Sequence, residues 1–299
     1  MFLRKDATMH KAIRVDELLR KTTIYAKIAS FKGVFSMSNH VIYRVQHIYE
    51  MLQKAEASKE SIPPLTERYP DLTVDEAYQA QLQMIDQKVQ TGKNIVGKKI
   101  GLTSVAMQKL LGVDQPDYGH LLDSMQVSNK GTIQLDELFQ PKVEGEIAFI
   151  LYKDLTGPNV TAEDVFAATE YIAPALEIVD SRITDWKITL ADTVADNASS
   201  GLFVLGDERY RVTDIDLPTI EMKLFKNGML MNTGYGYDVL GHPAKCVAWL
   251  ANKLFEYNVV LKAGEVILSG ALSAAVVAEK GDRFTAGFSH LGKVEVTFK

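Results

Sequence analysis

The chain has 299 residues, 46% hydrophobic and 24% charged, with a net charge of −5 at pH 7. That is enough for one large domain or two ordinary ones, in the composition range of globular proteins. It lacks the basic excess that nucleic-acid binding usually shows and any apolar run of membrane-spanning length, and its one cysteine, Cys246, rules out an internal disulfide, so a reducing, cytoplasmic setting is expected.

Residues 1–36 stand apart. They carry eight Lys/Arg against three Asp/Glu, a charge of +5 that leaves −10 for the rest of the chain. The segment lacks the continuous apolar core of a secretory signal. Its basic residues and scattered hydroxyls fit a transit peptide, but Asp6, Asp16 and Glu17 count against one. The expectation is a basic extension outside the fold, with Met37 as a natural start. Over 41–57, Val41, Val45, Ile48, Met51, Leu52 and Ala55 keep helical spacing, and Ser61-Ile62-Pro63-Pro64 breaks it. Thr73-Val74-Asp75-Glu76 is a capping box before a helix to Val89 with Tyr78, Leu82 and Ile85 as its stripe. These helices define a helical N-terminal part, 37–95, ahead of a β-rich catalytic part, 96–299.

Strands and turns dominate from there. Residues 95–103 read as a strand carrying Lys98 and Lys99, 104–111 as a short helix, and 112–119 as a loop holding Asp114, Pro116 and Asp117. A helix is expected from Thr161 to about Tyr171. The small polar stretch 192–201 has the composition of a ligand-contacting loop. Strands follow over 202–205 and 219–226, with Asn227-Gly228 as a hairpin turn. Gly241-His242-Pro243 leads into a helix to about Tyr257, where Cys246 reads as a buried structural thiol and His242 as a helix-initiating residue. The end, 264–270 and 293–298, is β.

The stretch Lys142-Val143-Glu144-Gly145-Glu146-Ile147-Ala148-Phe149-Ile150 carries the chemistry. On a strand Glu144 and Glu146 share a face. Two like charges side by side repel unless something neutralises them, and a hard divalent cation does so. Glu177 adds a third carboxylate, embedded in the apolar run Ala173-Pro174-Ala175-Leu176-Glu177-Ile178-Val179. Three carboxylates with open positions suit Mg²⁺ or Mn²⁺ rather than Zn²⁺, which prefers His and Cys. The alternative places Glu144 and Glu146 on the solvent face of an edge strand with no metal.

Six pieces stand in order between 97 and 270, Gly97-Lys98-Lys99-Ile100-Gly101-Leu102-Thr103, Gly112-Val113-Asp114-Gln115-Pro116-Asp117-Tyr118-Gly119, Pro141-Lys142-Val143-Glu144-Gly145-Glu146, Ala175-Leu176-Glu177, Val194-Ala195-Asp196-Asn197-Ala198-Ser199 and 264–270, within a match that covers roughly 41–299. Together they make the chain resemble the fumarylacetoacetate-hydrolase superfamily, in its 2-oxopent-4-enoate hydratase and 4-oxalocrotonate decarboxylase branch. The resemblance implies an α+β fold, a mixed β-sandwich roll flanked by helices. It implies Glu144, Glu146 and Glu177 as Mg²⁺/Mn²⁺ ligands and Lys99 as the active-site lysine. The catalytic histidine of the hydrolase members has no counterpart motif at His40, His47 or His120.

Within the branch, Asp114-Gln115-Pro116-Asp117, Asp192-Thr193-Val194 and Ser200-Gly201 are similar to hydratases. Ser273-Ala274-Ala275-Val276 is similar to decarboxylases. The implied reaction is addition of water to a small 2-hydroxydienoate to give a 4-hydroxy-2-oxo acid, in aromatic-compound degradation. Asp117 is the candidate for proton transfer, with a turn-forming role as its alternative. Lys99 could hold the substrate carboxylate or stabilise an enolate; otherwise it is a solvated strand lysine. Asn197 and Ser199 are candidates for orienting substrate oxygens, with turn formation as the alternative. A decarboxylase using the same metal site, or a non-catalytic partner subunit, are the competing readings. A homo-oligomer, with a pathway decarboxylase or aldolase as further partner, is expected; nucleic acid and membrane are not.

Overall fold

The computed structural model describes residues 39–299 apart from 105–107 and 110–111. The basic extension and its proposed boundary at Met37 lie outside the described residues, as does most of the short helix expected over 104–111. Helix α1, Asn39–Ser58, buries Val45, Ile48, Leu52 and Ala55 on one stripe, as its spacing predicts. A short helix α2, Leu65–Arg68, follows the Pro63-Pro64 break. Helix α3, Val74–Gln90, begins at the expected capping box: the Glu76 N–H donates to Thr73 Oγ1 (3.2 Å) and the Thr73 N–H to Glu76 Oε2 (3.0 Å). Both are N-terminal donors that the helix itself cannot satisfy.

Among the described residues the strands form two sheets. The larger contains β1 (Ile95–Gly101), β2 (Asp117–Leu122), β3 (Gln126–Val127), β5 (Lys142–Leu151), β6 (Thr169–Val179), β7 (Ser200–Leu205), β10 (Val266–Leu268) and β11 (Val276–Val277). Its order is β2-β1-β10-β5-β6-β7-β3, with β11 also on β5. The smaller contains β4 (Gly131–Ile133), β8 (Glu221–Lys226), β9 (Met229–Tyr235), β12 (Arg283–Phe288) and β13 (Gly292–Phe298), in the order β4-β13-β12-β8-β9. Asn227-Gly228 turns β8 into β9 with both residues left-handed, as a tight hairpin requires. This is the α+β sandwich roll that the resemblance implies.

The large sheet curls. Strands β2 and β7 lie far apart in its order yet come back into contact. Its convex face carries Val143, Ile147 and Phe149 into the main core, shared with α1, α3 and the small sheet. Gly145 belongs to that face, where a Cβ would meet Met222 Sδ at 2.8 Å as β8 crosses β5. The other face of β5 carries Glu144, Glu146, Ala148 and Ile150. One end of that concave side is plugged by Leu121, Ala148, Ile150, Ala173, Ala175, Phe203, Val266 and Leu268. The carboxylates occupy the other.

Three expectations shift. The helix from Thr161 is only Ala162–Ala168 (α4), because Thr169 already pairs with Leu151 and strand pairing takes over. The loop over 192–201 contains helix α5, Leu190–Ala195, started by a capping box between Thr189 and Asp192, and Ser200 opens β7. The loop before β2 ends at Pro116, so Asp117, Tyr118 and Gly119 are strand residues paired with β1. Helix α6, Pro243–Phe255, is capped by His242, whose Nδ1 accepts the Ala244 N–H (3.0 Å), and it buries Cys246.

Candidate active site

The strand registers bring five expected residues to one place. Glu144 on β5 lies directly across from Glu177 on β6, and Glu146 lies one pleat further along the same face. One oxygen from each of the three can be chosen so that all lie within 4.8 Å of one another. Glu146 and Glu177 are 1% exposed, and Glu144 is the half-buried member. Lys99 Nζ sits 3.2 Å from Glu177 Oε1. Asp117 pairs across from Gly101, where a Cβ would run into Asp117 Oδ1 and come near Lys99 Nζ. Glycine at 101 therefore lets Asp117 reach the lysine.

These groups are far from their solution chemistry. Burial, then the neighbouring Glu177 charge, pushes the Glu144 carboxyl up to about 7. Burial and the charges of Glu177 and Glu144 hold Glu146 well above the usual carboxylate range, although the Gly270 N–H donates to its Oε2 at 2.7 Å. Burial raises Asp117 too, against the opposing pull of Lys99. Burial alone would lower the Lys99 ammonium, but Glu177, Asp117, Glu144 and Glu146 outweigh it and keep it protonated. Asp117 Oδ1 is buried without a hydrogen-bond partner, and Glu177 Oε1 has the Lys99 ammonium as its ion-pair partner but no hydrogen bond. Under-satisfied carboxylate oxygens in a dry cluster are costly, and an all-oxygen donor set of this kind fits a hard divalent cation such as Mg²⁺ or Mn²⁺.

The segment after α5 closes the site. Asn197, Ala198 and Ser199 are all left-handed, with φ of 55°, 51° and 52°. Three such non-glycine residues in a row store strain and persist only where the surroundings over-determine them. Asn197 Oδ1 accepts the His120 N–H (2.8 Å) and its Nδ2 donates to the His120 carbonyl (2.9 Å). Ser200 Oγ donates to the Asn197 carbonyl (2.7 Å), and the Asp180 N–H to that of Ser199 (2.8 Å). A buried ion pair, Arg182 to Asp196, anchors the start of the turn. The turn packs on Gly119, the strand partner of Lys99.

Asn197, expected to orient substrate, thus has both amide atoms engaged by the His120 backbone. The Ser199 hydroxyl contacts Thr193 Oγ1 at 3.2 Å. The histidines are structural here: His47 Nδ1 meets the Tyr69 hydroxyl at 2.5 Å, His40 contacts Arg44, and buried His120 meets Gln81 Oε1 at 3.1 Å. Sequence reasoning missed the Gly270 N–H on Glu146 and the Arg182–Asp196 anchor. The glycine at 270 was the sequence signal for the first, since its φ of 109° is one that L side chains rarely adopt; nothing local marks the second.

A sandwich roll with an all-carboxylate centre on its concave face defines a class of enzymes. The family model described as fumarylacetoacetate (FAA) hydrolase C-terminal matches residues 107–299, and the chain belongs to that family. It is 48% identical over 255 residues to the 2-hydroxyhexa-2,4-dienoate hydratase of Comamonas testosteroni, covering 85% of this chain and 95% of that one. It is 49% identical over 216 residues to the 2-hydroxypent-2,4-dienoate hydratase of Pseudomonas putida, covering 72% and 97%. Its structure is similar to 4-oxalocrotonate decarboxylase from Pseudomonas putida G7 complexed with magnesium and adipate, with a TM-score of 0.84, 36% identity, and coverage of 88% of this chain and 99% of that one. Among the described residues no helix is long and apolar enough to cross a membrane.

Proposed function

We propose that the protein is a metal-dependent hydratase acting on 2-hydroxypenta-2,4-dienoate or an alkyl homologue, in aromatic-compound degradation. The observation that carries this is the convergence of Glu144, Glu146 and Glu177 with Lys99 and Asp117 in one dry cluster. The two hydratases at 48% and 49% identity supply the substrate class. Glu144, Glu146 and Glu177 would hold Mg²⁺ or Mn²⁺, the magnesium of the decarboxylase complex being in keeping with this. When bound, the cation supplies Lewis-acid withdrawal of electrons through the 2-oxo group of the substrate.

The chain's own residues handle charge and protons. Lys99, held protonated by its acidic neighbours, binds anionic substrate oxygen and stabilises negative charge developing at the enol oxygen. Asp117, raised by burial and with Oδ1 free, accepts and returns a proton. Ketonisation takes the enol proton from O2 and places one at C5. Hydration then adds hydroxyl at C4 and a proton at C3, giving the 4-hydroxy-2-oxo acid. Asn197, through His120, holds the strained turn that carries Ser199, whose hydroxyl would orient a substrate oxygen. A cytoplasmic homo-oligomer working beside the aldolase or decarboxylase of the same route completes the reading.

The decarboxylase reading has two observations in its favour, the Ser273-Ala274-Ala275-Val276 stretch and the similarity to 4-oxalocrotonate decarboxylase. Separate incubations with 2-hydroxypenta-2,4-dienoate and 4-oxalocrotonate, with Mg²⁺ or Mn²⁺, decide between them. Hydrated product from the first supports the hydratase. CO₂ from the second, with the monocarboxylate untouched, overturns it. No loss of dienol absorbance in either leaves a non-catalytic subunit.

A further inference from the structure

A cavity of about 450 Å³ is bounded by Phe139, Gln140, Lys142, Trp186, Ala278 and Lys280, and the carboxylate cluster stands outside its lining. Lys142 connects the two. It stands two residues before Glu144 on β5, so both point to the concave face. Glu144, the member of the triad nearest to Lys142 along β5, is half-buried, while Glu146 and Glu177 are buried.

The Lys142 ammonium has an unusual setting. Its Nζ lies 4.1 Å from the centre of the Trp186 ring. Trp186 is itself fixed: Nε1 donates to the Gln140 carbonyl (3.0 Å), and both Asp185 and Trp186 are left-handed, φ 57° and 55°. A cation on an indole face is held there by the ring quadrupole. Among the described residues, the Lys142 ammonium makes no ion pair and no hydrogen bond. Two more lysines, Lys280 and Lys299, line the cavity against one acidic side chain, Asp136.

Charge explains why such a lysine is needed. Asp117, Glu144, Glu146 and Glu177 bring four negative charges and Lys99 one positive. A divalent cation still leaves the site at −1, facing an anionic substrate. Lys142 brings it to zero and places the added positive charge in the cavity, where a cleft focuses the field on an arriving anion.

We propose that this cavity is a carboxylate-receiving site, in which Lys142, seated on Trp186, captures a carboxylate of the substrate and sets the charge preference of the enzyme. The proposal rests on the hydratase reading for the identity of that substrate, but not for the chemical class of ligand. The carboxylate is either the one adjoining the reacting enol or one at the far end of a dicarboxylate.

The test uses Trp186 as reporter. Trp249 is the other tryptophan of the chain, so Trp249→Phe leaves Trp186 as the single indole. In that background, chelator-treated protein is titrated with pyruvate and with adipate while Trp186 emission is followed. The expected result is a saturable change with at least one of them, lost in Lys142→Met, which keeps the stem without the charge, and kept in Lys142→Arg. With metal restored, Lys142→Met should lower kcat/KM about five- to tenfold through KM, an effect that shrinks with salt. An equal fall for the monocarboxylate dienoate and a dicarboxylate homologue assigns the carboxylate beside the enol; a fall for the dicarboxylate alone assigns the distal one. A Trp186 signal that is absent, or that survives Lys142→Met, overturns the proposal. If instead the dienoate is not consumed while the Lys142-dependent signal persists, the hydratase reading fails and the carboxylate site stands.

Discussion

Replacing Glu144 by Gln removes one charge from the triad and keeps its shape. Glu144 lies directly across from Glu177, and one oxygen of each of the three acids falls within 4.8 Å of the others. Two unit charges about 5 Å apart repel by about 3 kcal/mol at an effective dielectric near 20. Lys99, 3.2 Å from Glu177 Oε1, offsets part of this. Solvent at half-buried Glu144 screens more, which leaves about 1–2 kcal/mol. The pH dependence has a definite sign. Folding raises the Glu144 carboxyl from 4.5 to about 7, so the folded state binds the proton more tightly, and stability is lost as pH climbs from 4.5 through about 7. At pH 8 the repulsion is fully present. In chelator at pH 8, Glu144→Gln should therefore unfold about 2–8 °C above wild type, at roughly 2–4 °C per kcal/mol for a chain of this size. Adding Mg²⁺ should reverse the order, because wild type gains a ligand that the variant holds poorly. Thermal unfolding of both proteins, with chelator and with Mg²⁺, reads all four values, and dienol turnover should vanish in the variant. A variant that melts below wild type in chelator at pH 8, or that keeps the full Mg²⁺ shift, would refute the reasoning.

Asp117→Asn should cut hydration by about 10²–10⁴-fold, the usual worth of general acid–base catalysis, with the inhibition constant of oxalate little changed; near-wild-type turnover would remove Asp117 from the mechanism. Asn197→Gly tolerates the left-handed backbone but deletes both bonds to buried His120. It should cost about 2–4 kcal/mol in urea unfolding, and a cost below about 1 kcal/mol would mean that the Arg182–Asp196 pair holds the turn by itself. His120, pushed down from 6.5 to about 3 by burial and then by the Lys98 charge, is protonated more readily in the unfolded chain. Stability should thus fall by up to about 1.4 kcal/mol for each pH unit below 6.5, and an unchanged acid limb of the stability curve in His120→Gln would contradict this.

The sequence by itself determined the parts whose signals are local. Helical spacing over 41–57, the Thr73–Glu76 box and Asn227-Gly228 each encode their own backbone, because caps and tight turns depend on residues three or fewer apart. The i, i+2 spacing put Glu144 and Glu146 on one face without any knowledge of the sheet. The tertiary structure decided what those faces meet. Only the register of β5 against β6 sets Glu177 opposite Glu144, and only the pairing of β1 with β2 brings Asp117 beside Lys99. Neither register is visible locally, since strand order is fixed by how the whole sheet buries its two faces. The same holds for α5 and the turn after it. Small polar residues over 192–201 look like a loop, yet Asn197, Asp196 and Ser200 find their partners on β2, at Arg182 and within the turn. Distant partners turned a stretch of loop composition into a helix, a strained turn and a wall of the site.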